Sequence, residues 1–153
     1  MPKAPTFDLR EAHLYFSAHC FNSAWDLMDK PSRSDEETEQ MIQRCLASLW
    51  HWAQRDDCSD QSLSIGYWQA ARVFALAGDA ARARYYGELC LERSRDLEPF
   101  YLGYAYEALA RAAKVAGYQA GVTEYLEKAN ACLAEVKDPE SRKMLEADLK
   151  SLG

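Results

Sequence analysis

Apolar residues recur at every third or fourth position along most of the chain, and no stretch alternates between apolar and polar residues as a strand would. This spacing predicts an all-α protein. Seven helices account for the pattern, over approximately residues 7–29, 34–53, 61–77, 79–95, 99–117, 118–136 and 139–152.

The ends of these helices carry recognisable start and stop residues. Ser34 and Glu37 have the spacing of a capping box, in which each side chain accepts the backbone N–H of the other residue. Gly78 and Gly117 should end helices, because glycine adopts the left-handed backbone conformation without steric cost. Pro99 suits the first turn of a helix, where no backbone donor is needed.

The first predicted helix is broadly apolar. More than half of its circumference is covered, so we expect it to pack against neighbours on two sides. The residues concerned are Leu9, Leu14, Phe16, Ala18, Cys20, Phe21, Ala24, Trp25, Leu27 and Met28. In the second helix Trp52 continues the core stripe, whereas Trp50 points the other way and should pack against a neighbouring helix or a partner.

The chain repeats itself with a shift of 39 residues, which superimposes the third and fourth helices on the fifth and sixth. Such a period indicates stacked units that cannot bury their apolar faces alone. The matching pairs are Tyr67 with Tyr106, Ala71 with Ala110, Arg72 with Arg111, Gly78 with Gly117, and Tyr86 with Tyr125.

The repeated residues resemble those of the tetratricopeptide repeat, a helix–turn–helix unit with aromatic and small residues at set positions. The first unit carries them at Tyr67, Ala70, Ala71, Phe74, Gly78, Ala83 and Cys90, and the second at Tyr106, Leu109, Ala110, Ala113, Gly117, Val122 and Ala129. The period of 39 is longer than the usual 34 or so. The resemblance implies stacked antiparallel helix pairs in a right-handed superhelix.

We therefore expect one domain over residues 1–153. Residues 1–60 would form an atypical capping pair of helices, residues 61–98 and 99–137 the two repeats, and residues 138–153 a C-terminal capping helix.

The resemblance also implies a concave groove, lined by the first helix of each pair. Carried over by register, the groove residues are Trp68, Arg72 and Leu76 on the third helix, with Tyr104, Glu107, Arg111 and Lys114 on the fifth. The guanidinium forks of the two arginines would suit carboxylates of a ligand. Alternatively, Arg72 pairs with Glu107 or another acid and only braces the stack.

A second polar surface is expected on the first helix. Tyr15, His19, Asn22 and Asp26 fall on one face, opposite the broad apolar surface. We count them among the candidate binding residues.

The charge and the apolar runs limit the kinds of partner, and the cysteines indicate the compartment. The formal net charge is -6, which argues against nucleic acid. No apolar run reaches membrane-spanning length. Five widely spaced cysteines without a C-x-x-C pair predict reduced thiols and a cytoplasmic location.

No catalytic motif is present, so we expect no enzymatic activity and no cofactor. We expect no metal either: His13 and His19 are six residues apart and point about 120° away from each other on one helix.

The sequence therefore favours a noncatalytic scaffolding module that binds a protein or peptide partner. Acidic groups on that partner would suit the two arginines. One alternative is a small-molecule-binding or enzymatic domain with a polar pocket around the first, third and fifth helices. Another is a homo-oligomer with Trp50 at its interface.

Overall fold

A computed structural model describes the chain from Met1 to Gly153 and confirms the all-α prediction. It contains seven α-helices and no strand. Their bounds are α1 Leu9–Met28, α2 Asp35–Ala53, α3 Asp60–Leu76, α4 Ala80–Ser94, α5 Pro99–Val115, α6 Gln119–Glu135 and α7 Pro139–Lys150. None of these helices combines the length and the apolar character needed to cross a membrane.

The predicted helix ends are confirmed. The Ser34 hydroxyl accepts the backbone N–H of Glu37, whose carboxylate accepts the backbone N–H of Ser34, so both bonds of the capping box form. Gly78 and Gly117 follow α3 and α5 with φ angles of 77° and 71°. These local signals place the helix boundaries because they act within one turn of chain.

The chain divides into two compact units, Met1–Ser59 and Asp60–Gly153. In the first unit α1 packs against α2. The contact includes a buried hydrogen bond of 2.7 Å from the Ser48 hydroxyl to the carbonyl of Ser17. Its apolar core contains Ala24, Leu27, Met28, Met41 and Cys45.

The expected packing of α1 on two sides is wrong for its N-terminal half. Leu9, Leu14 and Phe16 are exposed, although each belongs to the broad apolar surface of the helix. Within this unit α2 is the helix that packs on α1, and one neighbouring helix covers only part of so wide a stripe. Trp50, for which the sequence predicted a neighbouring helix or a partner, is exposed beside His13 of α1.

The second unit consists of adjacent helix pairs. α3 packs against α4 and α5 against α6, while α5 also lies beside α3 and α4. Small residues let these helices lie close together. A Cβ atom added to Gly87, for example, would lie only 2.9 Å from Leu109 Cδ2, which is closer than side-chain atoms pack. The arrangement is that of stacked helical hairpins.

The sequence repeat has a geometric counterpart in the second unit. The rings of Tyr67 and Tyr86 lie 6.2 Å apart at 31°, and those of Tyr106 and Tyr125 lie 6.5 Å apart at 23°. The two helix pairs therefore hold equivalent aromatic residues in nearly the same way.

The C-terminal helix α7 is part of the core of this unit. It packs against α5 and α6. Its contribution to the shared apolar cluster is Leu145 and Leu149, which lie with Tyr104, Ala129, Leu133 and Val136. This packing fixes the polar residues on α7 relative to α5.

Candidate functional site

A buried carboxylate, Glu107 of α5, is the centre of the polar contacts on the α3 and α5 faces. Its side chain has 0% exposure. Trp68 Nε1 donates to its Oε2 at 3.0 Å, and Arg72 Nη2 donates to its Oε1 at 2.9 Å. Arg111 reaches the same Oε1 with Nε at 2.8 Å and Nη2 at 2.7 Å. Two cations and an indole N–H thus satisfy one buried anion.

A second carboxylate, Asp148 of α7, extends this network. The Tyr104 hydroxyl donates to Asp148 Oδ2 at 2.7 Å, and Arg72 Nη2 reaches Oδ1 at 3.4 Å. Arg111 Nη2 also donates to the Ser151 hydroxyl at 3.1 Å. We call these seven residues the arginine–carboxylate cluster: Trp68, Arg72, Tyr104, Glu107, Arg111, Asp148 and Ser151.

Aromatic rings surround the cluster. Tyr104 meets Trp68 edge to face at 5.4 Å, and Phe100 meets Tyr104 in the same way at 5.1 Å. The Arg72 guanidinium lies 5.1 Å from the centre of the Trp68 ring. Edge-to-face ring pairs and cation–π contacts each stabilise the fold beyond the burial of apolar area. They also limit the rotamers that these side chains can adopt.

The electrostatics of the cluster favour a fixed arrangement. Its two arginines balance its two carboxylates, so no net charge is buried. Burial, followed by the hydrogen bond to Asp148, raises the pKa of the Tyr104 hydroxyl and keeps it protonated as a donor. Arg72 Nε is buried without a hydrogen-bond partner. The other contacts of the cluster must outweigh the free-energy cost of this unsatisfied donor.

The structure brings five of the predicted groove residues together. Trp68, Arg72, Tyr104, Glu107 and Arg111 all belong to the cluster. Lys114, one turn beyond Arg111, is exposed at the end of α5. The arginine side chains keep 15% and 20% of their surfaces exposed, so their edges can still be reached from outside.

The four candidates on α1 lie in the first unit. Tyr15, His19, Asn22 and Asp26 are all exposed. Tyr15 and His19 stack with ring centres 5.2 Å apart and planes at 12°. These four residues occupy one helical face, as their spacing predicts.

Sequence reasoning missed two members of the cluster, Asp148 and Ser151. The last helix was identified by its leucines, and several charged residues accompany them. Nothing in that pattern distinguishes the one acid that meets Tyr104, because the contact spans 44 residues of chain.

A pair of histidines from different helices was also missed. His13 Nδ1 and His51 Nδ1 lie 2.9 Å apart, and both rings contact Trp50. Burial, then the proximity of His13, lowers the pKa of His51. Spacing along the chain relates residues of a single helix, whereas this pair forms between α1 and α2.

No protein-family model, curated protein or solved structure matches the chain. The resemblance to tetratricopeptide-repeat proteins therefore rests on the repeated residues and their repeated geometry.

Proposed function

We propose that this chain is a noncatalytic scaffolding module that binds a protein or peptide partner at the exposed edge of the arginine–carboxylate cluster. The observation that carries the proposal is the sharing of Glu107 by Arg72 and Arg111. These arginines come from two helices of the stack. Their common acceptor fixes a surface of guanidinium edges beside the partly buried ring of Trp68.

The bonding within the cluster favours recognition over proton transfer. Each of its carboxylates accepts charged or hydroxyl donors, and Tyr104 is held in its protonated form. A rigid surface loses little conformational freedom on binding, and tryptophan and arginine are frequent anchors of interfaces. Lys114 adds an exposed cation beside this surface, which suits a partner with acidic groups.

We also infer that α3–α6 form two tetratricopeptide-like repeats with α7 as their cap. The equivalent tyrosine pairs and the positive φ angles of Gly78 and Gly117 support this. Buried thiols at Cys45 and Cys90 are compatible with a reducing, cytoplasmic environment.

Site-specific photocrosslinking tests the proposed surface. A benzophenone amino acid at Lys114 should capture a discrete protein in lysate of the native cells, and unlabelled chain should compete for it. The same probe at Glu127, exposed on α6, is the matched control and should capture none.

The outcomes separate the alternatives. A product of twice the 17.4 kDa chain mass would identify the partner as a second copy. Equal capture at both positions, or none at Lys114, would contradict the proposed surface. A small molecule that native mass spectrometry finds bound, without any crosslinked protein, would favour the ligand-binding alternative.

A further inference from the structure

The exposed face of α1 carries a stacked pair of aromatic rings. Tyr15 has 59% exposure, His19 is exposed as well, and their rings stack nearly parallel. Phe16 meets Tyr15 edge to face at 5.1 Å, and the Tyr15 hydroxyl lies 3.5 Å from His19 Nδ1. These contacts hold a flat aromatic surface open to solvent.

Carboxylates flank this pair on the same helical face. Glu11 lies one turn before Tyr15, and Asn22 and Asp26 follow His19, so all five residues fall within about 80° of arc. Glu11 and Asp26 are exposed, and no lysine or arginine occupies the face. We call Glu11, Tyr15, His19, Asn22 and Asp26 the acidic aromatic face.

The surrounding unit has the same sign of charge. Residues 1–59 contain ten acidic residues against six lysines and arginines. The ion pairs Arg10–Asp56 and Arg55–Asp57 each match one cation with one acid, so the excess of acids remains. A cation approaching the acidic aromatic face therefore meets attraction along its path.

We propose that the acidic aromatic face docks an arginine- or lysine-containing segment of a partner protein. The face of Tyr15 attracts a guanidinium or ammonium group through its quadrupole. Glu11 and Asp26 supply carboxylates, which a guanidinium can engage with two parallel bonds. Arginine fits better than lysine, because its planar group stacks on a ring while its edge bonds an acid.

The row of rings leaves room for more than one cationic side chain. From Tyr15 it continues through Phe16 to His51, with 5.4 Å between the last two ring centres. Trp50, which is 57% exposed, follows at 5.0 Å from His51. A basic segment can therefore lie across α1 towards α2.

This surface is independent of the one proposed on α3 and α5. The two differ in the charge of the partner they suit, and each can be tested while the other is left intact. Loss of crosslinking at Lys114 would leave the present inference untouched.

Binding of a labelled hexa-arginine peptide to the full chain, measured by fluorescence anisotropy in about 0.05 M salt, tests the inference. We expect hexa-arginine to bind more tightly than hexalysine. Tyr15→Ala should weaken hexa-arginine binding about two- to five-fold. The control Tyr85→Ala removes a tyrosine of 57% exposure on α4 and should leave binding unchanged.

The charges are tested in the same assay. Glu11→Gln with Asp26→Asn should weaken binding and flatten its salt dependence. The control pair Glu127→Gln with Glu140→Gln removes equal charge elsewhere. Equal losses in both pairs would show nonspecific attraction to an acidic protein and overturn the inference, as would a Tyr15→Ala variant that binds like the original chain. Circular dichroism checks that each variant is folded.

Discussion

At the scale of single residues, Glu107 determines whether the cluster is neutral. It is fully buried and accepts bonds from both Arg72 and Arg111. Removing one partner from a buried ion pair leaves the remaining charge without compensation in a poorly solvated site. The cluster therefore depends on this carboxylate more than on any single donor.

Glu107→Gln should lower the free energy of unfolding by about 3–5 kcal/mol, because two arginines lose their shared anion. Urea denaturation followed by circular dichroism measures the change. The control Glu124→Gln breaks an exposed pair with Lys128 and should change the free energy of unfolding far less. Similar losses for both variants would mean that Glu107 is not a bracing residue.

The arginines themselves separate bracing from ligand contact. A double Arg72→Lys, Arg111→Lys variant keeps both charges, but an ammonium lacks the planar fork with which Arg111 bonds Glu107 through both Nε and Nη2. If about 2 kcal/mol is lost, Tm should fall by about 4–8 °C for a chain of this size. Thermal scans measure this, with Arg84→Lys, an exposed pair with Glu88, as the control. Unchanged Tm with a lost partner would instead assign both arginines to binding.

His51 should make stability depend on pH. Its pKa is lowered in the fold, so the unfolded chain takes up a proton first, near the ordinary value of about 6.5. The stability that His51 contributes is complete above that pH, and it is lost as the pH falls through the lower pKa of His51 in the folded state. We expect a lower urea midpoint at pH 5.5 than at pH 7.5.

His51→Gln should reduce that difference, and His19→Gln should preserve it. The carboxylates of Glu37, Asp57, Asp79 and Asp138 also have lowered pKa values, but they lose their contribution only below about pH 4.5. A pH dependence that His51→Gln leaves unchanged would have another origin.

At the scale of helices, local signals in the sequence were sufficient to predict where each helix lies. Capping residues and glycines act on neighbouring backbone groups, so every helix was located from the chain alone. The histidine pair and Asp148 were not predictable in this way. His13 and His51 are 38 residues apart, and their meeting depends on how α1 and α2 pack.

The glycines after α3 and α5 give a test at this scale. Gly78 and Gly117 have positive φ angles, and an added Cβ would meet nothing within 4 Å, so only backbone strain opposes substitution. Alanine should cost about 1–2 kcal/mol at either site. Valine should cost more because its branched Cβ is least compatible with this conformation.

Denaturation midpoints of the alanine, valine and asparagine variants at each site would measure these costs. Asparagine serves as the control, since it tolerates the left-handed region best among residues with a side chain. Equal midpoints for alanine and valine would contradict the strain argument.

At the scale of the whole molecule, the five cysteines report on both units. Burial raises the pKa of Cys45 to about 12 and that of Cys90 to about 11, so their thiolates are scarce in the folded chain. We expect all five thiols to react with Ellman's reagent after denaturation without reductant. In the native state Cys45 and Cys90 should react last. Fewer than five reactive thiols in freshly prepared protein would contradict the reducing compartment that we propose.

The position of α7 determines how this architecture could lengthen. α7 packs on the last hairpin, α5 and α6, although less extensively than α5 packs on α3 and α4. A tandem duplication of residues 99–137 would therefore present α7 with the same apolar packing surface that it has now, one hairpin further along. Because stacked repeats contact mainly their nearest neighbours, such growth would leave the earlier apolar core in place. The exception is Glu107: its donor Trp68 lies one 39-residue period earlier, so in the duplicated hairpin a second Glu107 would face the first. A change in length by whole hairpins would therefore need a new partner at that one polar position, with α7 moved to the new end.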